Sequence, residues 1–180
     1  CGSGWRATIA MTALGALGWT DVRSLVGGSF GGWVEAGYPV AEGMPPEPEA
    51  LNAAEPDPAL AATISDMLAN LPEGWGVLTV EDLTSELAEN PDLVLVDVRR
   101  SEEVEENGYI EGAVFIPLEE FISMKGEWPA SDANIVTYCA AGHRGLIAMT
   151  ILRSYGYTNV RNLKGGFGAW VDAGNPVATD

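Results

Sequence analysis

An internal repeat constrains the fold of this chain more than any other feature of its sequence. When the chain is displaced by 138 positions, Cys1-Gly-Ser-Gly-Trp-Arg6 aligns with Cys139-Ala-Ala-Gly-His-Arg144, and 15 of the first 28 pairs are identical. One inserted residue, Ser29, then restores the register, so that Phe30–Val40 parallels Phe167–Val177. Two copies of such a pattern indicate two structural units built on one plan.

The repeat also sets the predicted domain boundaries. Residues 1–42 correspond to the C-terminal half of a first domain, and residues 76–180 to a complete second one. Residues 43–75 are predicted to hold an acidic linker rich in Pro, Glu and Ala, followed by an amphipathic connecting helix. The half-domain has one predicted strand, Val22–Leu25, and a lone strand leaves backbone groups unsatisfied. We therefore expect an upstream segment to complete it.

Composition narrows the classes of function. A net charge of −17 argues against sequence-independent binding to nucleic acid or anionic lipid, which depends on clustered Lys and Arg. No apolar run approaches the roughly 20 residues of a membrane span. We expect a soluble protein of a bacterial-type cytoplasm or periplasm, with the compartment left open. Two cysteines and one histidine offer neither a disulfide framework nor a metal-ligand cluster.

Strand and helix patterns alternate in residues 76–180. Val94–Val98 and Ile135–Tyr138 are short, mostly apolar runs, typical of strands buried on both faces of a sheet. Thr79 and Asp82 predict a capped helix start. This alternation predicts an α/β fold of three layers, with a five-stranded, mainly parallel sheet and helices on both of its faces.

The most informative position is that of Cys139, directly after a predicted buried strand. Gly142 lies in the short loop that follows, and Arg144 opens the next helix. Ligands of open parallel sheets bind beyond the carboxyl ends of the strands, where a helix N-terminus directs free N–H groups and its positive dipole end. A thiol held at this point is stabilised as thiolate, the nucleophilic form.

Four segments resemble the rhodanese family in order and spacing: Val96-Asp-Val-Arg99, Gly108-Tyr-Ile-Glu-Gly-Ala113 leading to Ile116-Pro117, the loop Cys139 to Arg144, and Leu163-Lys-Gly-Gly-Phe-Gly-Ala-Trp170. The resemblance covers the second copy almost wholly and the first as half of a sister domain, as in a tandem rhodanese. It implies a rhodanese-like fold and a thiosulfate-type sulfurtransferase. Such enzymes move sulfane sulfur from thiosulfate or a similar small donor to a thiol or cyanide acceptor through a cysteine persulfide, without a cofactor.

The same resemblance assigns roles to individual residues. Cys139 is implied to be the sulfur carrier, and Arg144 to tie the loop and help to hold the anionic donor. Asp97 and Arg99 are implied to support the loop from below. The residues implied to line the loop are Ala140, Ala141, Gly142, His143 and Arg144.

Cys1 and Arg6 match the motif as a second candidate site. Because Cys1 lacks a preceding strand, we expect its sulfur not to be positioned and Cys139 alone to support turnover. Many relatives carry Ser or Thr where this chain has Gly145, whose missing hydroxyl could otherwise bond to the sulfur.

Two alternatives stay open at this point. One is a rhodanese-like module that binds or regulates without catalysis. The other is a cysteine phosphatase, which uses a similar strand, cysteine, loop and arginine. Phosphatases place one more residue between the cysteine and the arginine, to encircle phosphate, whereas four residues separate Cys139 from Arg144. A loop that is one residue shorter suits a sulfur atom better than a phosphate group.

Overall fold

The computed structural model describes residues 1–47 and 55–179, and the chain divides into two compact units, Cys1–Asp66 and Met67–Asp180. Part of the predicted acidic linker, positions 48–54, lies outside the described residues. The first unit holds helices α1 (Trp5–Ala16) and α2 (Ser29–Glu35). Helix α3 (Pro58–Ala69), which the sequence predicted, includes the residues at which the units divide. No helix in the described ranges is long and apolar enough to cross a bilayer.

Strands and helices alternate through the second unit. Its elements are β1 (Val77–Leu78), α4 (Val80–Glu89), β2 (Val94–Asp97), α5 (Ser101–Asn107), β3 (Val114–Phe115), β4 (Ile135–Tyr138), α6 (His143–Ser154), β5 (Val160–Leu163) and α7 (Gly166–Asp172). All five strands are parallel, in the order β1-β5-β4-β2-β3. The prediction of an α/β fold with a five-stranded parallel sheet is confirmed, and β4 is the central strand.

The centre of the sheet is apolar because its strands are covered on both faces. Val96 of β2 and Val136 of β4 are fully buried, as expected for strands of a parallel sheet. Asp97, the last residue of β2, pairs in register with Tyr138, the last residue of β4. The two strands therefore end together, and the residue after β4, Cys139, lies at the carboxyl edge of the sheet.

Local sequence signals set the start of helix α4. The Oγ1 of Thr79 accepts a hydrogen bond from the backbone N–H of Asp82 at 3.2 Å, and the Asp82 carboxylate accepts one from the backbone N–H of Thr79 at 2.9 Å. This reciprocal pair is a capping box, which satisfies two of the free N–H groups at a helix start. The predicted capping arrangement is confirmed.

The predicted strand Val22–Leu25 of the first unit is wrong, because these residues are not part of any strand. The aligned segment of the second copy is β5, which pairs with both β1 and β4. Within the described part of the first unit no neighbouring strand is present to complete such a ladder. The sequence pattern of a strand is present there, without a neighbouring strand among the described residues.

Candidate active site

Cys139 is placed by the strand before it and the helix after it. Its side chain is buried, with 1 % exposure, directly beyond the last residue of β4. Gly142 adopts a left-handed conformation, with φ of +95°, as the N-cap of α6. This turn directs the backbone N–H of Gly142 to the Sγ of Cys139, at an N···S distance of 3.2 Å. The predicted position of the cysteine at the end of a central strand is confirmed.

Residues 139–144, named here the cysteine loop, are held from behind by helix α7. The backbone N–H of Phe167 donates to the carbonyl oxygen of Cys139 at 2.7 Å, and that of Gly168 donates to Ala140 at 2.9 Å. Gly166 makes this approach feasible, because its φ is +59° and a Cβ there would lie 2.0 Å from the Cys139 oxygen. The Gly-Gly-Phe motif therefore serves to fix the loop.

The other loop residues differ in their exposure. Gly142 is buried, Ala141 is exposed, and Ala140, His143 and Arg144 are half-buried. The helix α6 begins one residue earlier than predicted, at His143, so that Arg144 is its second residue. Of these five residues Gly142, whose N–H contacts the sulfur, is the one that is buried.

Arg144 forms an ion pair that the sequence did not reveal. Its Nη1 and Nη2 atoms donate to the two carboxylate oxygens of Glu103, on α5, at 2.6 and 2.7 Å. This hydrogen bond holds the pKa of Glu103 at about 2. The carboxylate, and after it the nearby Cys139 sulfur, raises the pKa of Arg144. The arginine is thus tied to α5 beside the sulfur. Its two Nη atoms, which we expected to bind an anionic donor, bind Glu103 instead.

Asp97 and Arg99 form a second, deeply buried ion pair. Both side chains are 1 % exposed, and Nη2 of Arg99 lies 2.6 Å from the Asp97 carboxylate. Nη2 also donates to the carbonyl oxygen of Gly108 at 2.7 Å. The guanidinium lies 4.0 Å from the ring centroid of Phe167, the residue whose N–H holds Cys139. The pair therefore contacts Phe167, whose N–H binds the cysteine loop, and its role in supporting the loop stays a prediction.

The space beside Gly145 is filled by a buried asparagine. A Cβ at Gly145 would lie 2.3 Å from the Oδ1 of Asn162 on β5 and 3.0 Å from the Cα of Tyr138. Asn162 is fully buried, and neither polar atom of its amide has a hydrogen-bond partner among the described residues. Gly145 thus leaves space that the side chain of Asn162 fills.

The first unit reproduces the local geometry of the cysteine loop. The backbone N–H of Gly4 lies 3.2 Å from the Sγ of Cys1, and the N–H of Phe30 donates to the Cys1 carbonyl oxygen at 2.9 Å. The expectation that the Cys1 sulfur would not be positioned is therefore wrong. The Gly4 turn and helix α2 place it without a preceding strand, although Cys1 is exposed where Cys139 is buried. Both cysteines are free thiols.

The described residues contain no group of three or more His, Cys, Asp or Glu side chains arranged to hold a metal ion. Cys139 itself contributes a thiol, which lies beside the N–H of Gly142 and near the paired Arg144. A parallel α/β unit with a cysteine between a central strand and a helix N-terminus defines a class of cysteine-dependent proteins with an anion-binding loop.

Residues 79–173 match the family of the Rhodanese-like domain, and the chain belongs to this family. It is 36 % identical over 97 residues to a sulfurtransferase of Allochromatium vinosum, a match that covers 54 % of this chain and 89 % of the relative. It is also 36 % identical over 91 residues to the human thiosulfate:glutathione sulfurtransferase, covering 43 % of this chain and 78 % of the relative.

The solution structure of a rhodanese-like domain from Anabaena superposes with a TM-score of 0.53 at 28 % sequence identity, covering 58 % of this chain and 80 % of that one. The fold and the family predicted from the sequence are both confirmed. Because relatives named as sulfurtransferases match the second unit, this unit belongs to a sulfurtransferase-type family.

Proposed function

We propose that Cys139 accepts sulfane sulfur from thiosulfate or a similar small donor and passes it to a thiol or to cyanide. The observation that supports this most directly is the N–H of Gly142 directed at the Cys139 sulfur at 3.2 Å. A fixed backbone donor at this point stabilises negative charge on sulfur. Both the attacking thiolate and the persulfide formed from it carry such charge.

In the first half-reaction the Cys139 thiolate attacks the outer sulfur of thiosulfate. The S–S bond of the donor breaks, and sulfite leaves with its electron pair. An anionic persulfide remains on Cys139. In the second half-reaction cyanide attacks the terminal sulfur, so that thiocyanate leaves and the thiolate is restored. A thiolate acceptor leaves instead as a persulfide. This is covalent catalysis by sulfur exchange, and neither half-reaction requires an added oxidant or reductant.

Arg144 and Glu103 are assigned positioning roles in this scheme. The arginine adds positive charge next to the sulfur, and its pairing with Glu103 fixes where that charge lies. The burial of Cys139 favours a small donor over a bulky one.

The loop length favours sulfur transfer over phosphate chemistry. A phosphatase loop closes around a tetrahedral anion, and here four residues separate Cys139 from Arg144 while Glu103 binds the arginine. The direct test is to incubate the chain with thiosulfate and cyanide and to measure thiocyanate, beside a p-nitrophenyl phosphate assay. We expect thiocyanate in amounts well above one equivalent and no phosphate release. Phosphate release would favour a phosphatase. The absence of both products, and of a persulfide by mass, would favour a non-catalytic module.

A further inference from the structure

Arg100 is a basic residue beside the cysteine loop to which the proposed reaction assigns no role. It lies between the end of β2 and the start of α5. The backbone N–H of Val98 donates to the carbonyl oxygen of Tyr138 at 2.9 Å, so the chain that leads to Arg100 lies beside the chain that leads into Cys139. Arg100 is therefore at the same carboxyl edge of the sheet as the sulfur.

A shared carboxylate places Arg100 next to Arg144. The Oε2 atom of Glu103 accepts a hydrogen bond from the backbone N–H of Arg100 at 3.1 Å and from Nη1 of Arg144 at 2.6 Å. The hydrogen bond to Glu119 raises the pKa of Arg100, and the positive charge of Arg144 lowers it. Arg144 in turn lies near the Cys139 sulfur. The two arginines therefore border the same site.

The two guanidinium groups differ in what they bind. Both Nη atoms of Arg144 donate to Glu103. Arg100 donates to Glu119 through Nε, at 2.8 Å, and its Nη atoms have no hydrogen-bond partner among the described residues. The side chain of Arg100 is 66 % exposed, whereas that of Arg144 is 28 % exposed. Arg100 thus keeps two donor groups with which a guanidinium binds a carboxylate.

Glu119 fixes the position of the Arg100 guanidinium. The backbone N–H of Leu118 donates to the carbonyl oxygen of Val98 at 3.3 Å. Glu119 directly follows this contact, so the carboxylate that binds Arg100 stands on backbone that is paired with the chain after β2. The hydrogen bond from Arg100 lowers the pKa of Glu119, so folding favours the charged form of the carboxylate. Arg100 is therefore held in place while its Nη atoms face no other described residue.

The charge and exposure of Arg100 indicate which reactant it suits. The chain has a net charge of −17, so an anionic substrate approaches against the overall field unless a basic group lies near the site. Thiosulfate is compact, and its oxygens stay close to the sulfur that is transferred. A thiol that carries a carboxylate is longer, so its charged end can extend from the buried Cys139 to an exposed side chain.

We propose that Arg100 determines acceptor specificity by binding, through its Nη atoms, the carboxylate of a thiol acceptor. This inference rests on the proposed function, because the acceptor thiolate attacks the terminal sulfur of the Cys139 persulfide. The S–S bond breaks, the Cys139 thiolate leaves with the electron pair, and the acceptor departs as a persulfide. The bond between Arg100 and the carboxylate forms before this exchange and orients the attacking sulfur.

The test compares 3-mercaptopropionate, which carries a carboxylate, with the neutral thiol 2-mercaptoethanol at saturating thiosulfate, with sulfite release as the measure of turnover. In a ping-pong reaction kcat/KM for the acceptor reports on the second half-reaction alone. The ratio of the two kcat/KM values cancels any general loss of activity. We expect Arg100→Gln to lower this ratio about fivefold, as for a partly exposed charge contact. Arg100→Glu should raise the corresponding ratio for the cationic thiol cysteamine about fivefold.

Arg23→Gln is the matched control, because Arg23 is also an exposed arginine paired with an acidic residue, Asp21. It should leave the ratio within about twofold. A second readout needs no sulfur transfer: the rate at which iodoacetate alkylates Cys139 is divided by the rate for the neutral iodoacetamide, with both products mapped by peptide mass. Arg100→Gln should lower this ratio about threefold.

An unchanged acceptor ratio in Arg100→Gln would overturn the proposal. A fall in kcat/KM for thiosulfate with the acceptor ratio unchanged would overturn it as well, because Arg100 would then bind the donor. If the wild type forms no thiocyanate from cyanide, the proposed function fails instead. The alkylation ratio then decides separately whether Arg100 attracts a carboxylate to Cys139, and an unchanged value would overturn that role.

Discussion

Arg144 and Glu103, 41 residues apart in the chain, are joined by two hydrogen bonds of 2.6 and 2.7 Å beside the Cys139 sulfur. The carboxylate also accepts a bond of 3.1 Å from the backbone N–H of Arg100, near the start of α5. The pair therefore links helix α5 to the first turn of helix α6. The position of the arginine therefore depends on an acidic residue of another helix.

The first prediction concerns this dependence. Glu103→Gln removes the charge and one acceptor of the pair, so Arg144 is held less firmly near the reacting sulfur. We expect kcat/KM for thiosulfate to fall about 10-fold, the equivalent of about 1.4 kcal/mol. Glu106→Gln, at an exposed position of the same helix, is the matched control and should leave the rate within about twofold. Equal rates for the two variants would show that Glu103 has no role at the site.

The pH dependence of stability follows from the same contact. The pKa of Glu103 is about 2 in the folded chain against an ordinary value of 4.5, so folding favours its charged form. A depressed carboxyl pKa stabilises the fold above the unfolded value and loses that contribution as pH falls toward the folded one. Urea unfolding should show the stability difference between the wild type and Glu103→Gln to be full above about pH 5 and to shrink between pH 4.5 and 2. A difference independent of pH would contradict this.

The fold was predictable because its signals are local. Buried β-branched runs and the Thr79 capping box predict strands and a helix within a residue or two, and the parallel order follows from their alternation. The position of Cys139 follows from the same signals. The predicted strand Val22–Leu25 failed because a strand requires neighbours, which no pattern within the segment can provide.

The partners of the site were not predictable in the same way. Glu103 is one of four glutamates in α5, Ser101–Asn107, and nothing in their spacing selects the one that reaches Arg144 on a different helix. The contact of Arg99 with the Phe167 ring likewise depends on tertiary packing. The stabilisation of the Cys1 loop by α2 was missed because we attributed the loop geometry to the strand, whereas the glycine turn and the helix behind it suffice.

The buried pair Asp97–Arg99 gives a prediction about stability. Asp97→Asn leaves the guanidinium of Arg99 buried without a counter-ion, and breaking a buried ion pair costs about 3–5 kcal/mol. We expect a large fall in the free energy of unfolding, measured with urea, and weaker protection of Gly108 in hydrogen exchange. Asp92→Asn, an exposed change just before the same strand, should have almost no effect. A fall of less than about 1 kcal/mol for Asp97→Asn would show that the pair is not structural.

Gly145 and Asn162 should behave as a coupled pair, because the first copy has Ala7 and Ser24 at the aligned positions. Gly145→Ala places a methyl group where Asn162 now lies, and overpacking of this kind costs about 1–3 kcal/mol. In the double variant with Asn162→Ser, at least half of that loss should be recovered, as a thermodynamic cycle would show. Additive losses would mean that the short approach to Tyr138, not Asn162, excludes a side chain at this position.

The last prediction assigns turnover to Cys139. The first copy preserves the N–H to sulfur contact, but the described residues of the first unit include no counterpart of α5, the helix that brings Glu103 to Arg144. A nucleophile requires its whole surrounding shell near the productive geometry. We therefore expect Cys139→Ser to abolish thiocyanate formation and Cys1→Ser to leave the rate within about twofold. After incubation with thiosulfate, the added sulfur of about 32 mass units should map to the peptide that contains Cys139. A label on Cys1, or full activity of Cys139→Ser, would place the reaction at the first copy.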